Sequence, residues 1–289
     1  MCLPSHKSYP AKLLLFGEYT VTLGSGALAV PFYRRSGHWE KTGQGGPDRG
    51  LTKLLTHIRS DPDMVLLFDW KRFELEIRGG LVFRSDIPEG YGLGSSGALV
   101  AAVYDRYATG RTDDLPTLKS LLARMEGAFH GASSGIDPLV SYLGKAVFAD
   151  DDNSITLPRI TLPEGLFLLD TGRSRDTGQL VALFRQKMAS EPGFASKIHG
   201  LKQVNANAIQ AALRGEDIKR HFKEISSIQL EIFGAMIPED FAGQWRRGLE
   251  TGSYALKLCG AGGGGYLLGL SSGKAAWQNL GPAIPESIT

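Results

Sequence analysis

Cysteine is almost missing from this 289-residue chain. Only Cys2 and Cys259 occur, so neither a disulfide framework nor a thiolate metal cluster is read from it. The six histidines fall into no HExxH or CxxC-plus-His spacing, which removes the usual zinc signatures. No apolar run reaches the roughly 18 residues of a membrane span. The first residues also lack the basic-then-apolar pattern of a secretory leader. Charge of one sign is missing too: 32 Lys and Arg against 30 Asp and Glu leave +2. Small basic clusters such as Arg34-Arg35 and Arg246-Arg247 do not make an electrostatic case for nucleic acid or an acidic membrane. The expectation is a globular protein of about two domains in a reducing cytoplasm, with no nucleic-acid or membrane partner.

Glycine, by contrast, is abundant at 37 residues, and it clusters. The densest stretch runs from Pro88 to Ala102, where Gly90, Gly92, Gly94 and Gly97 surround Ser95 and Ser96 ahead of an apolar segment. Glycine lets backbone approach a ligand closely, and Ser95 and Ser96 suit the N-cap of a following helix. The free amides and dipole of such a helix start attract phosphate. A serine-capped turn with no ligand is the plainer alternative.

Ala11 to Phe16 reads as a buried strand, and Lys12 within it is out of place. Either it sits at an edge and reaches solvent, or it has an anionic partner, because an unpaired buried ammonium is costly. Lys12 and Glu18 can converge only if the chain bends at Gly17. A turn and a strand follow over 24–31, a loop over 36–50 and a short helix over 51–59. Phe73 to Arg78 alternates cleanly and reads as a strand, paired across Gly79-Gly80 with Leu81-Val-Phe83. Helices are expected over 96–107 and 115–129. Glu126 closes the second of these, where the dipole disfavours a negative charge, so it is either solvated or holds a cation. Pro138 suits a helix's first turn, which puts Asp137 at that helix's start as a cap or as a working carboxylate. Asp150 to Asn153 marks a domain boundary, giving domains 1–157 and 158–289. Beyond it come a strand over 165–172, a polar loop over 173–177, and helices over 178–190, 199–214 and 216–234. A second glycine loop, 260–265, lies between two strand-like pieces.

Two motif matches fail on context. Gly92-Leu-Gly-Ser-Ser-Gly97 fits a dinucleotide fingerprint but does not leave directly from a strand. Gly131-Ala-Ser-Ser-Gly135 fits a nucleophile elbow but follows a helix. No Walker A lysine follows the glycines at 90–94.

Three separated stretches together resemble the GHMP kinases, a family that includes galactokinase, homoserine kinase, mevalonate kinase and phosphomevalonate kinase. Pro88 to Ser96 resembles its P-x3-G-L-G-S-S motif, Pro10 to Val21 its first motif, and Leu258 to Gly265 its third. Glu126, His130-Gly131 and Ser134-Gly-Ile-Asp137 are similar to the mevalonate kinase branch. The resemblance implies an α+β fold of two lobes: an N-terminal domain like the second domain of ribosomal protein S5 and a ferredoxin-like C-terminal domain. It implies ATP and Mg²⁺ as cofactors and a small-molecule alcohol as partner, with mevalonate first and other acceptors of the family as alternatives. It leaves a homodimer open. Asp137 would orient or deprotonate the alcohol, and Lys12 would hold Asp137 and stabilise the transferring phosphoryl group. Ser96, or Ser95, and Glu126 would ligate Mg²⁺. Gly90, Gly92, Leu93, Gly94, Ser95, Ser96 and Gly97, with Gly260, Gly262 and Gly263, would hold the nucleotide. Glu18, Tyr19, Ser133, Ser134 and Thr177 would face the acceptor. Tyr19 stands where the family's G-E-H has histidine, Gly97 where alanine is usual, and Cys259 where threonine or serine is common.

Overall fold

A computed structural model describes residues 7–42, 48–174, 177–273, 280 and 285–288. Strand β1, Tyr9–Phe16, is buried along its whole length. β2, Ala27–Lys41, lies antiparallel to it. Helices α1 (Arg49–Ser60), α2 (Met64–Leu67) and α3 (Trp70–Arg78) lead to β3, Leu81–Ser85, which pairs with the far half of β2. Then come α4 (Ser95–Tyr107), α5 (Leu115–His130) and α6 (Ile136–Leu143), followed by β4 (Val147–Ala149) and β5 (Ile155–Thr156). The resulting sheet runs β1-β2-β4-β5, with β3 beside β2. α4 and α6 pack on β1.

The second half opens with β6, Leu166–Asp170, continues through α7 (Thr177–Ser190), α8 (Phe194–Leu213), α9 (Lys219–Ile232) and α10 (Glu239–Thr251), and ends with β7 (Tyr254–Leu258), β8 (Tyr266–Ser271) and β9 (Pro285–Ser287). These strands form a second sheet in the order β7-β8-β6-β9. α9 and α10 cover β7, while α8 reaches back to β1. Asn205 on α8 donates to the Thr20 hydroxyl across 3.1 Å. The first strand is therefore enclosed by both halves, which is why none of its side chains reaches water.

Two expectations are corrected. Phe73 to Arg78 is helical, not a strand: Asp69 caps α3 by accepting from Arg72 N. Phe73 and Ile77, four apart, are buried while Leu75 is 71% exposed. Six alternating residues fit either period, and only the cap and the i, i+4 pair decide between them. Residues 36–41, expected as loop, extend β2. Polar Arg35, Ser36 and His38 mask that strand, but Trp39 is buried and the Phe83 ring lies over Gly37. Residues 43–47 of the expected loop lie outside the described residues. α10 went unread, although Phe241 and Trp245 sit four apart in it and both are buried.

Candidate active site

The glycine-rich stretch after β3 packs along β1. Leu93 is buried, and its carbonyl accepts from the Lys12 amide across 2.9 Å. Gly90, Gly92 and Gly94 all have positive φ. Gly94 itself, in the left-handed region, is the N-cap of α4, and no side chain caps that helix. Serine capping is thus overturned: Ser95 and Ser96 are the first helical residues, which frees the Ser96 hydroxyl for other work. A Cβ on Gly94 would stand 3.0 Å from Lys12 Cγ and 3.3 Å from Asp137 Oδ2. The loop turns here with no side chain because the Lys12–Asp137 pair fills that space.

Lys12 is 4% exposed, and its Nζ lies 3.0 Å from Asp137 Oδ1. Burial pushes the ammonium down, but the Asp137 carboxylate, with smaller help from other neighbours including Glu18, brings Lys12 above its ordinary range. Asp137 sits in the first turn of α6, whose N-cap is Gly135. The first turns of α6 and α4 pack closely, because a Cβ on Gly97 would lie 2.9 Å from Asp137 C, Asp137 Cβ and Pro138 N. Two helix starts therefore lie side by side, each with the partial positive charge of its free amides. Gly97 serves this closeness by packing on α6 backbone. Gly97→Ala is expected to force α6 away and cost about 1–3 kcal/mol, readable by urea unfolding. A change under 0.5 kcal/mol would show that the junction has slack.

Behind the pair lies Glu126, 4% exposed. The Ser96 hydroxyl donates to its Oε1 across 2.8 Å, and the Ser133 hydroxyl donates to its Oε2 across 2.5 Å. Burial and then the charge of Asp137 push the Glu126 carboxyl up to about 7, against the pull of those hydroxyls and Lys12. A buried carboxylate with a hydroxyl beside it is a hard oxygen donor set, which fits a hard divalent cation. The Ser133 hydroxyl is therefore engaged by Glu126. His130 Nε2 lies 3.1 Å from the Ser96 hydroxyl, a neighbour that sequence reading named only as part of a motif. Ser134 is exposed and accepts from the Ile136 amide at the start of α6.

The third motif closes the other side. Gly265, φ +70°, presses on Tyr91 so closely that a Cβ would fall 2.5 Å from Tyr91 Cα. Its amide donates to the Arg173 carbonyl across 2.6 Å. Gly260 turns with positive φ, while Gly262 and Gly263 pack against Met236 and Leu180. Cys259 Sγ lies 3.7 Å from the Gly92 carbonyl. Thr177 begins α7, and Arg175 and Asp176 of the same expected loop lie outside the described residues.

Glu18 and Tyr19 are placed otherwise than expected. Gly17, φ +116°, does bend the chain, but Glu18 turns inward to Lys257. The ammonium of Lys257 also donates to the carbonyls of Leu14, 3.3 Å away, and Leu258, 3.0 Å away. Burial raises the Glu18 carboxyl, and Lys257 pulls it back. Sequence reading missed Lys257, although the signal that exposed Lys12, a lysine inside an apolar strand, is present in Leu256-Lys-Leu258. The Tyr19 hydroxyl donates to the Ala261 carbonyl across 2.5 Å, and its ring lies between Phe184 and Phe233.

Strand pairs between named strands are all antiparallel among the described residues, so no βαβ unit supports the dinucleotide reading. Gly131-Ala-Ser-Ser-Gly135 follows α5, and the hydrolase reading falls with it. The model of the GHMP kinases N terminal domain matches residues 64–145. The mevalonate kinase of Pyrococcus abyssi is 27% identical over 307 residues, 92% of this chain and 88% of that protein. Among solved structures, the L. major mevalonate kinase in complex with R-mevalonate superposes with a TM-score of 0.66 at 17% identity, over 96% of this chain and 90% of that one. Streptococcus pneumoniae phosphomevalonate kinase gives 0.65 at 18%, over 97% of each. The agreement runs through both halves of the chain and does not stop at the matched N-terminal segment. Residues 64–145 thus match the GHMP kinases N terminal domain, and over 92% of its length the chain is similar to mevalonate kinases.

Proposed function

We propose that the protein transfers the γ-phosphoryl group of ATP to mevalonate, giving 5-phosphomevalonate for isoprenoid precursor synthesis. The buried Lys12–Asp137 pair, set where the starts of α4 and α6 meet the glycine loop, carries this reading. Asp137 has an oxygen on Lys12 and stays partly exposed, so it can accept the hydrogen of an alcohol and aim its oxygen. Lys12 holds that carboxylate in place and adds positive charge where the transferring group becomes more negative. The amides at the start of α4 would receive phosphate oxygens. Ser96 and Glu126 would hold Mg²⁺, which when bound supplies charge neutralisation between the phosphates. We assign domains 1–157 and 158–289, one built on each sheet, and the reading puts the nucleotide and the alcohol between them.

An ADP-release assay across mevalonate, phosphomevalonate, galactose and homoserine tests the acceptor. Mevalonate is expected to exceed the others by at least about 100-fold in kcat/KM. The second reading, phosphomevalonate as acceptor, draws on Tyr19: its hydroxyl is committed to Ala261, so this position does not offer the cleft what a histidine would. A preference for phosphomevalonate would overturn the first reading and keep the kinase.

Glu126 supplies a pH test. Its folded carboxyl, at about 7, binds its proton more tightly than the unfolded chain does. The metal-free protein therefore loses this share of its stability as pH rises from the ordinary carboxylate range through about 7. Mg²⁺ must displace that proton, so its apparent affinity should grow up to about tenfold per pH unit below 7 and then level off. Mg²⁺-induced thermal shifts at several pH values would show it. Glu126→Gln should abolish the pH dependence and raise the Mg²⁺ requirement for turnover. An unchanged requirement would remove Glu126 from the metal.

A further inference from the structure

α6 carries Asp137 in its first turn and ends at Leu143, about 9 Å further along the helix axis. At that far end a cavity of about 460 Å³ opens. Val30 and Pro31 of β2 form one wall, and Pro31 is the cross-strand partner of Lys12. The turn Gly144 to Ala146 forms another. The third is the segment 157–162, which joins the two sheets.

The wall of this cavity is mixed, with polar atoms and apolar side chains sharing it about equally. Leu157, Ile160 and Leu162 line it and stay only half-buried. Its charged lining is of one sign: Lys145 and Arg159 are both exposed, and no acidic residue lines the cavity. Neither cation has an ion pair or side-chain hydrogen bond with another described residue, although most arginines and several lysines elsewhere on the described surface do. None of the lining residues belongs to the glycine loops, to the Lys12–Asp137 pair or to the Glu126 cluster.

A concavity of this size, with three apolar side chains in its wall, falls in the small-molecule range. Two exposed cations in its lining, without an ion pair among the described residues, select an anionic head, with the planar guanidinium suited to carboxylate or phosphate. We propose that this cavity is a second binding site, for a small amphiphilic organic anion. The carboxylate or phosphate head lies between Lys145 and Arg159, and a short apolar body lies on Leu157, Ile160 and Leu162. The site stands on its own geometry and does not depend on which alcohol the enzyme phosphorylates.

Isothermal titration of the full chain with hexyl phosphate, hexanoate and inorganic phosphate tests this, with ADP kept saturating so that the glycine loops are filled. Hexyl phosphate or hexanoate should bind saturably at one site, and the tighter of the two identifies the head group. Inorganic phosphate, which has no apolar body, should bind at least about tenfold more weakly. Lys145→Glu with Arg159→Glu should weaken binding of the better probe by more than about tenfold. Both residues are exposed, so the pair should leave folding and ADP affinity unchanged. Three results would overturn the site: no saturable binding by either amphiphile, equal binding by the double variant, or binding seen only when ADP is left out. The last would place the probe in the nucleotide cradle. Absence of mevalonate turnover would leave this outcome unaffected, so failure of one reading cannot be mistaken for failure of the other.

Discussion

Asp137→Asn is expected to lower kcat by about 10²–10⁴-fold while the Kd for ATP stays within about twofold. Asparagine keeps the size of the side chain but cannot take a proton from the alcohol. It also cannot neutralise Lys12, whose Nζ is 3.0 Å from the carboxylate. The variant therefore does two things at once, and a second protein separates them. Lys12 is buried, so leaving it without an anion should cost stability as well. Lys12→Met combined with Asp137→Asn removes the stranded charge, so unfolding stability should recover while turnover does not. Burst kinetics and urea unfolding on the three proteins give the comparison. Turnover within tenfold of the parent in Asp137→Asn would remove Asp137 from the chemistry.

Lys257→Met is expected to be the most destabilising single change outside the reacting groups, at about 3–5 kcal/mol. The side chain is fully buried, and its ammonium meets Glu18 and the Leu14 and Leu258 carbonyls. Removing it strands a carboxylate that burial already pushes up, and Glu18 Oε2 has no hydrogen-bond partner among the described residues to share the load. Glu18 would then hold its proton in the folded state well above the ordinary carboxylate range. Stability of the variant should fall as pH rises through that raised range, because the unfolded chain gives the proton up first. Glu18→Gln in the Lys257→Met background should recover a large part of the loss and remove the pH dependence. Urea midpoints at about pH 5.5 and pH 8 decide the matter; a pH-independent loss would mean that Glu18 keeps another cation.

Much of this site was legible because charged residues stood where burial made them expensive. Lys12 in an apolar strand, Glu126 at a helix end and Asp137 at a helix start are each anomalies in one dimension, and each has a partner in three. The glycine loops were legible by composition. What failed was anything requiring direction. Glu18 lies in the right motif, yet the bend at Gly17 turns it toward β7, and no one-dimensional pattern reports that rotation. Serine capping failed because a left-handed glycine can start a helix unaided. The α3 segment failed because six residues are too few to separate period 2 from period 3.6. The strand at 36–41 failed because its polar residues face outward along an edge.

The Lys257 contacts also bear on the order in which the molecule is made. Lys12, Ser96, Glu126 and Asp137 all belong to the first half of the chain, so a growing polypeptide holds every reacting group before β6 exists. Yet β1 is enclosed only when α8 and β7 arrive, and until then Glu18 has no ammonium beside it. Contacts linking residue 14 to 257 and residue 91 to 266 are among the most distant in the chain, and such contacts are the slowest to close. The reacting groups are thus among the first residues synthesised, while the enclosure that gives them their charge states is among the last parts to form.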